Sequence, residues 1–161
     1  MSVMSVPVTV IRHPRERISK CSLRNLHDRP EFTFHKATKG FRFDASNFLV
    51  LALDAPPLTS ADRGHPLLVL DSTWRWLPDL ESCLCGDPIR RSLPNVATAY
   101  PRVSRVHENP AGGLASVEAV YLAKRILGED DVTLLDGYHW KDQFLYGARL
   151  HFNMSCYTYD D

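Results

Sequence analysis

Two short apolar runs constrain the fold of this chain more than any other feature of its sequence. The run "FLVLALD" occupies 48–54 and the run "LLVLD" occupies 67–71, and both end in an aspartate. Unbroken apolar runs of this length are typical of strands that are buried on both faces, as in a parallel sheet covered by helices. We therefore expect an α/β fold in which these two runs lie inside the sheet.

The rest of the chain alternates between strand patterns and helix patterns, as an α/β fold requires. Further strands are predicted at 6–12, 95–100 and 131–140. Helices are predicted at 19–29, after Asp71, at 114–127 and at 140–150. In the helix after Asp71, Ser72 or Thr73 is the expected N-cap, and Pro78 is compatible with its first turn.

The clearest helix is the segment "LASVEAVYLAKRIL", which is followed by Gly128 as a natural C-cap. Its apolar residues recur at helical spacing, and Glu118 is placed to accept a hydrogen bond from a backbone amide. We place a boundary near Leu80 to Arg90, so that 1–82 form an N-terminal α/β lobe with a basic segment and 83–161 form a second lobe.

Length and composition allow one compact core or two small lobes that share one, since 161 residues contain 44% hydrophobic residues. No apolar run approaches the ~20 residues of a membrane helix. The first residues lack the long apolar segment of a signal peptide. We therefore expect a cytoplasmic protein that does not enter a membrane.

The positive charge of the chain is concentrated, although the whole chain has a formal net charge of zero. The segment 12–42 contains nine Lys or Arg and three Asp or Glu. Clustered positive charge suits a polyanion such as RNA, and a solvated surface is an equally good explanation. The candidate RNA contacts are Arg12, Arg15, Arg17, Lys20, Arg24, Arg90, Arg91, Arg102 and Arg105.

The cysteines do not predict a metal site or a disulfide. Cys21, Cys83, Cys85 and Cys156 show no CxxC spacing, and Cys83 and Cys85 are too close for an ordinary disulfide within one element. We expect free buried thiols and no metal.

Four stretches of the chain form an ordered pattern between about Lys20 and Gly128. They are "SKCSLRNL", then "LALDAPPLTSADR", then "LLVLDSTW", and finally "RRSLPNVATAYP" with "GGLASVEAVYLAKRILG". In content and order they resemble the small-subunit ribosomal RNA aminocarboxypropyltransferase family. The chain departs from that family at Ser72, where the family has a cysteine, and in the longer, basic loop 101–113.

A related group is also similar to one of these stretches. Thr73 completes a D-x-T-W run, which is the signature of the DTW-domain proteins that modify tRNA uridine. The RNA target therefore stays open between ribosomal and transfer RNA, with ribosomal RNA of a small-subunit precursor favoured by "TSADR" and "RSLP".

The resemblance implies S-adenosylmethionine as the donor of a 3-amino-3-carboxypropyl group to a uridine or pseudouridine in RNA. It also implies that the lobe 83–161 is similar to the knotted, SPOUT-like methyltransferase fold, with the cofactor in a crevice between the lobes. An RNA methyltransferase with the same cofactor and an inactive RNA-binding protein are the alternatives.

The resemblance also implies roles for particular residues. Trp74 would form one wall of the adenine slot, and the main chain of Leu70 would bind the ribose. Ser22 and Ser116 would donate hydrogen bonds to the cofactor carboxylate, Ser116 at the start of a helix that favours anions. The other walls of the slot would be Leu53, Pro56, Leu93 and Leu114.

Asp71 is the candidate catalytic residue. It ends an apolar strand, and α/β folds place ligands in the crevice outside the carboxyl ends of their strands. Its carboxylate would orient the uracil or accept the N3 proton that leaves during transfer. The alternatives are that Asp71 only caps the next helix, and that Trp74 is an ordinary core residue.

Overall fold

The structure is a computed structural model that describes residues 5–18, 21–73, 75–94 and 114–157, with side chains up to residue 152. Its strands are β1 (Val8–Arg12), β2 (Phe32–Lys36), β3 (Phe43–Asp44), β4 (Leu49–Leu51), β5 (Leu67–Asp71), β6 (Leu84–Cys85) and β7 (Ile89–Arg91). Its α-helices are α1 (Leu77–Ser82), α2 (Ser116–Ile126) and α3 (Lys141–Tyr157).

Five strands form one sheet in the order β2-β1-β5-β4-β7, and every neighbouring pair is parallel. The two apolar runs supply β4 and β5, and β5 lies at the centre of the sheet. The predicted α/β fold with a parallel sheet is confirmed. The remaining strands, β3 and β6, form a separate parallel pair.

Each face of the sheet is buried in its own apolar cluster, which explains why β5 is apolar from Leu67 to Leu70. Leu67 and Val69 of β5 pack in the larger cluster, together with residues of α2 and α3. Leu68 packs in a second cluster with Ile11 of β1 and Leu80 of α1. Successive side chains of a strand point to opposite faces, so both faces of β5 need apolar residues.

The helix α2 agrees with its prediction. It ends at Ile126, and Gly128 follows with a φ of +99°, a left-handed conformation that glycine adopts without strain. The helix after Asp71 differs from the prediction because α1 begins only at Leu77. Neither Ser72 nor Thr73 caps it, although Pro78 lies in its first turn as expected.

Two other predictions are changed by the structure. Among the described residues of the helix predicted at 19–29, there is a 3-10 helix at Arg24–Leu26 and no α-helix. The predicted strand at 131–140 is wrong, because Val132–Leu135 form a 3-10 helix whose N-terminus is capped by Asp131. Short apolar runs suit either element, so their pattern does not distinguish them. The strands β2 and β7 were not predicted, and the predicted strand 95–100 lies outside the described residues.

The segments on the two sides of the proposed boundary at 82–83 contribute to one sheet and one core. β7 follows the boundary in sequence and pairs with β4. Residues of α2 share the larger apolar cluster with β1 and β5. Among the described helices, none combines the length and the apolar character that are needed to span a bilayer.

Candidate functional site

Polar residues from distant parts of the chain meet at the carboxyl edge of the sheet. Because the strands are parallel, their carboxyl ends lie at the same edge, and the strand register pairs Arg12 of β1 with Asp71 of β5. The N-terminus of α2 reaches the same place, since the Ser116 hydroxyl lies 3.2 Å from the Asp71 carboxylate. This is the edge at which α/β folds bind ligands.

Arg12, Cys21, Asp71 and Ser116 form an interior polar cluster around one carboxylate. Asp71 Oδ2 accepts hydrogen bonds from Arg12 Nε at 3.1 Å and from Cys21 Sγ at 2.9 Å. Asp71 Oδ1 accepts the bond from Ser116 Oγ. Asp71 is 8% exposed, and these three donors satisfy a carboxylate that would otherwise be costly to bury.

The charges in this cluster are divided between the guanidinium and the carboxylate. Burial and the neighbouring Asp71 raise the pKa of the Cys21 thiol to about 12. The thiol is therefore protonated at neutral pH, where it is a hydrogen-bond donor and a poor nucleophile. Burial opposes the charge of Arg12, but its bonds to Cys21 and Asp71 prevail and raise its pKa.

These contacts bear on the two roles considered for Asp71. Its side chain joins β1, the segment at Cys21 and the start of α2, and it does not cap α1, which begins six residues later. The alternative of a helix cap is therefore wrong. The role of proton acceptor stays a prediction.

The N-terminus of α2 is anchored by two side chains. Ser22 Oγ accepts a hydrogen bond from the Val117 amide at 3.0 Å. Glu118, which is fully buried, accepts one from the Ala115 amide at 2.8 Å, as predicted. The structure thus brings Ser22 and Ser116 together at this terminus. The Ser22 hydroxyl retains its proton for donation, whereas the Ser116 hydroxyl, which was also predicted to donate to the cofactor carboxylate, donates its one proton to Asp71.

The predicted apolar walls lie in segments that follow the strands. Leu53 is 42% exposed, and Pro56 is exposed in the same loop after β4. The Ser92 amide donates to the Pro56 carbonyl at 2.8 Å, which ties this loop to the half-buried Leu93. Leu70 is half-buried, whereas Leu114 is 1% exposed in the core. Trp74 lies outside the described residues.

The predicted RNA contacts fall into different environments. Arg15, Arg17 and Arg24 are exposed, whereas Arg12 is buried in the interior polar cluster, out of reach of a phosphate on the surface. Arg90 forms two hydrogen bonds with Glu81, and Arg91 is paired with Asp62. Lys20, Arg102 and Arg105 lie outside the described residues, as does the loop 101–113.

One feature of this edge was missed from sequence, an exposed arginine stack formed by Arg15, Trp76 and Arg75. The guanidinium carbon of Arg15 lies 4.9 Å from the centre of the Trp76 ring, and that of Arg75 lies 4.8 Å from it. The His13 ring is stacked on the same indole, with 4.8 Å between ring centres. The alternation of tryptophan and arginine in "TWRW" was the available signal.

The cysteines and acidic residues give no metal site among the residues that the structure describes. Cys21, Cys83 and Cys85 are free thiols, and Cys21 is buried as expected, whereas Cys85 is exposed. The side chain of Cys156 is outside the described part.

The chain is similar in structure to a protein described as the SAM-dependent rRNA:acp-transferase Tsr3 from Vulcanisaeta distributa. The two are 23% identical in sequence, and the similarity covers 92% of this chain and 82% of the other, with a TM-score of 0.69. No family model matches this chain, and no curated protein sequence matches it. The comparison therefore shows that the chain shares the fold of this transferase.

Proposed function

We propose that this protein is an RNA aminocarboxypropyltransferase. It transfers the 3-amino-3-carboxypropyl group of S-adenosylmethionine to a uridine or pseudouridine, in the RNA of a small-subunit ribosomal precursor. The observation that carries the proposal is the fold shared with an rRNA:acp-transferase over 92% of the chain. Three described residues of the motifs that resemble the same family, Cys21, Asp71 and Ser116, meet at the carboxyl edge of the sheet, which supports the assignment.

The residues at this edge fit the cofactor. Leu53 and Pro56 offer exposed apolar surface for a purine. The Ser22 hydroxyl has a proton for a carboxylate while its oxygen holds the Val117 amide. Leu70, Leu93, Ser116 and Trp74 complete the proposed site, and the buried Leu114 supports it from the core.

When bound, S-adenosylmethionine supplies a carbon chain already activated by its sulfonium, so the proposal includes no metal ion. The interior polar cluster holds the site in shape. Asp71 fixes the start of α2 against β1 and β5, and Ser22 fixes it against the segment at Cys21. Small errors in such positioning reduce the rate of transfer strongly. We also propose that Asp71 accepts the N3 proton that the uracil loses during transfer.

The proposal extends to the finer features that the resemblance implies. Residues 83–161 would form the SPOUT-like, knotted part, and the cofactor crevice would lie between it and residues 1–82. The exposed Arg15, Arg17 and Arg24 would contact RNA phosphates, together with Lys20, Arg102 and Arg105. The protein would act in the cytoplasm.

The reaction can be tested by incubating the protein with S-adenosylmethionine and small-subunit ribosomal RNA, then analysing the nucleosides by mass spectrometry. The expected product is a uridine or pseudouridine that has gained an aminocarboxypropyl group. A gain of one methyl group would identify a methyltransferase and contradict the proposal. If no nucleoside is modified and calorimetry shows no binding of S-adenosylmethionine, the proposal is wrong and the alternative of an inactive RNA-binding protein stands.

Ser22→Ala tests the placement of the cofactor. The substitution removes a donor to a charged carboxylate, which is worth roughly 1.5–3 kcal/mol, so calorimetry should show an affinity for S-adenosylmethionine at least about ten-fold weaker. Ser72→Ala is the matched control, because the Ser72 hydroxyl bonds only to the neighbouring Thr73 carbonyl among the described contacts. Equal affinities of the two variants would place the cofactor elsewhere.

A further inference from the structure

We propose that Arg15, Trp76 and Arg75, the exposed arginine stack, form a phosphate clamp for an RNA strand at the edge of the candidate site. This inference rests on the proposed function, because it assigns the surface that brings the RNA to that site. It adds Arg75 and Trp76 to the residues that the sequence pattern indicated.

The position of the stack follows from the strands that precede it. Arg15 comes three residues after the end of β1, and Arg75 comes four residues after the end of β5. These are the two strands that supply Arg12 and Asp71 to the interior polar cluster. Both arginines are thus held close to the carboxyl edge, on segments that leave adjacent strands.

The stack restrains both guanidinium groups. Each lies within 5 Å of the centre of the same indole ring, at 4.9 Å and 4.8 Å, and Trp76 is half-buried. The His13 ring, stacked on Trp76 and 3.2 Å from Asp79, helps to hold the indole. A guanidinium held over a ring can still direct N–H donors at a phosphate, and the restraint lowers the entropy lost on binding.

The charge of these arginines is not used within the described part of the protein. Neither Arg15 nor Arg75 forms an ion pair with a described carboxylate. Of the two nearby acids, Glu16 accepts a hydrogen bond from the Thr73 amide at 2.8 Å, and Asp79 faces His13. Arg90, in contrast, has both of its terminal nitrogens on Glu81.

An RNA backbone is the partner that fits best. Two guanidinium groups beside one indole ring suit the repeated phosphates of an RNA strand, because a guanidinium group binds a phosphate with two parallel hydrogen bonds. The surface also lies beside the edge at which the proposed reaction needs a nucleotide. An acidic protein is the competing partner, and binding measurements with RNA and with polyglutamate separate the two.

The test is the salt dependence of binding to single-stranded small-subunit ribosomal RNA that contains the modified position. Removing one arginine that neutralises a phosphate should reduce the slope of log affinity against log salt by about 0.7. We expect the double variant Arg15→Gln/Arg75→Gln to bind several-fold more weakly with a slope reduced by about 1.4. Trp76→Leu, which keeps both charges, should weaken binding because the two guanidinium groups are no longer restrained.

Arg90→Gln is the control. Although the sequence pattern indicated Arg90 as an RNA contact, both of its terminal nitrogens are bound to Glu81, so the binding and slope of this variant should equal those of the unchanged protein. An unchanged slope in the double variant would overturn the clamp, as would equal binding of polyglutamate, which would indicate an acidic protein. Calorimetry with S-adenosylmethionine should give the same affinity for all these variants. If RNA binds through the stack but no nucleoside is modified, the clamp stands and the proposed function is wrong. If a nucleoside is modified but the slope of the double variant is unchanged, the proposed function stands and the clamp is wrong.

Discussion

The interior polar cluster and the exposed arginine stack lie at the same edge of the sheet and use arginine in opposite ways. Arg12 is 6% exposed, and its charge is balanced by Asp71. Arg15, three residues later, is exposed and lies over Trp76. The basic residues of 12–42 therefore do not all belong to one surface. Its first arginine stabilises the interior, and its second is available to a partner.

The largest expected effect comes from breaking the interior pair. In Asp71→Asn the Arg12 guanidinium stays buried without a balancing charge, which costs about 3–5 kcal/mol. Denaturation with urea should show this decrease in the free energy of unfolding. Asp79→Asn is the control, because the Asp79 side chain is 64% exposed and its pair with His13 should be worth about 1 kcal/mol or less. Similar decreases in the two variants would contradict the comparison.

A second test uses the protonation of Cys21. Burial and Asp71 raise the pKa of its thiol in the folded protein from 9.0 to about 12. Between these values the folded state binds more protons than the unfolded state, so stability falls as the pH rises. At about 1.4 kcal/mol per pH unit, the decrease between pH 9 and pH 10.5 is about 2 kcal/mol.

Cys21→Ser should flatten this decline, because a hydroxyl keeps the hydrogen bond to Asp71 and does not titrate in this range. The pKa of Tyr121 is also raised to about 12, but both proteins share that contribution. The measurement is the free energy of unfolding of the two proteins from pH 8 to pH 10.5. Parallel curves would show that the Cys21 thiol is not held in its protonated form by the cluster.

The smallest expected changes in stability come from replacing the exposed Arg90 or the exposed Arg15. Arg90→Gln removes a surface ion pair with Glu81 and should lower the free energy of unfolding by about 0.2–1 kcal/mol. Arg15→Gln removes a cation–π contact with Trp76, which at an exposed site is about as weak as the Arg90 pair. The two variants should therefore lose similar small amounts of stability, while only Arg15→Gln weakens RNA binding. Thermal unfolding measures the stability of both variants, and RNA titration measures their affinities. A larger decrease of stability in Arg15→Gln would mean that the stack is mainly structural.

Local patterns were enough to predict the centre of the fold. The apolar runs of β4 and β5 have no polar interruption, and α2 has helical spacing with a glycine behind it, so each pattern suits one element. The edge strands β2 and β7 were missed because "FTFHK" and "IRR" mix polar and apolar residues, and their pairing with β1 and β4 depends on distant segments.

The candidate site was also predictable only where a local pattern specifies it. Its position at the end of β5 follows from the sequence of Asp71, Ser72 and Thr73. The partners of Asp71 lie 59, 50 and 45 positions away along the chain, and no local pattern specifies them. The stack on Trp76 likewise joins residues from the segments that follow β1 and β5, so its signal in the sequence was no more than the nearness of tryptophan and arginine.

Label transfer tests the central claim most directly. Two parallel reactions with small-subunit ribosomal RNA would use S-adenosylmethionine labelled with radiocarbon either in its carboxyl carbon or in its methyl group. We expect the carboxyl label to be incorporated into the RNA and the methyl label to stay out of it. Incorporation of the methyl label, or of neither label, would contradict this claim.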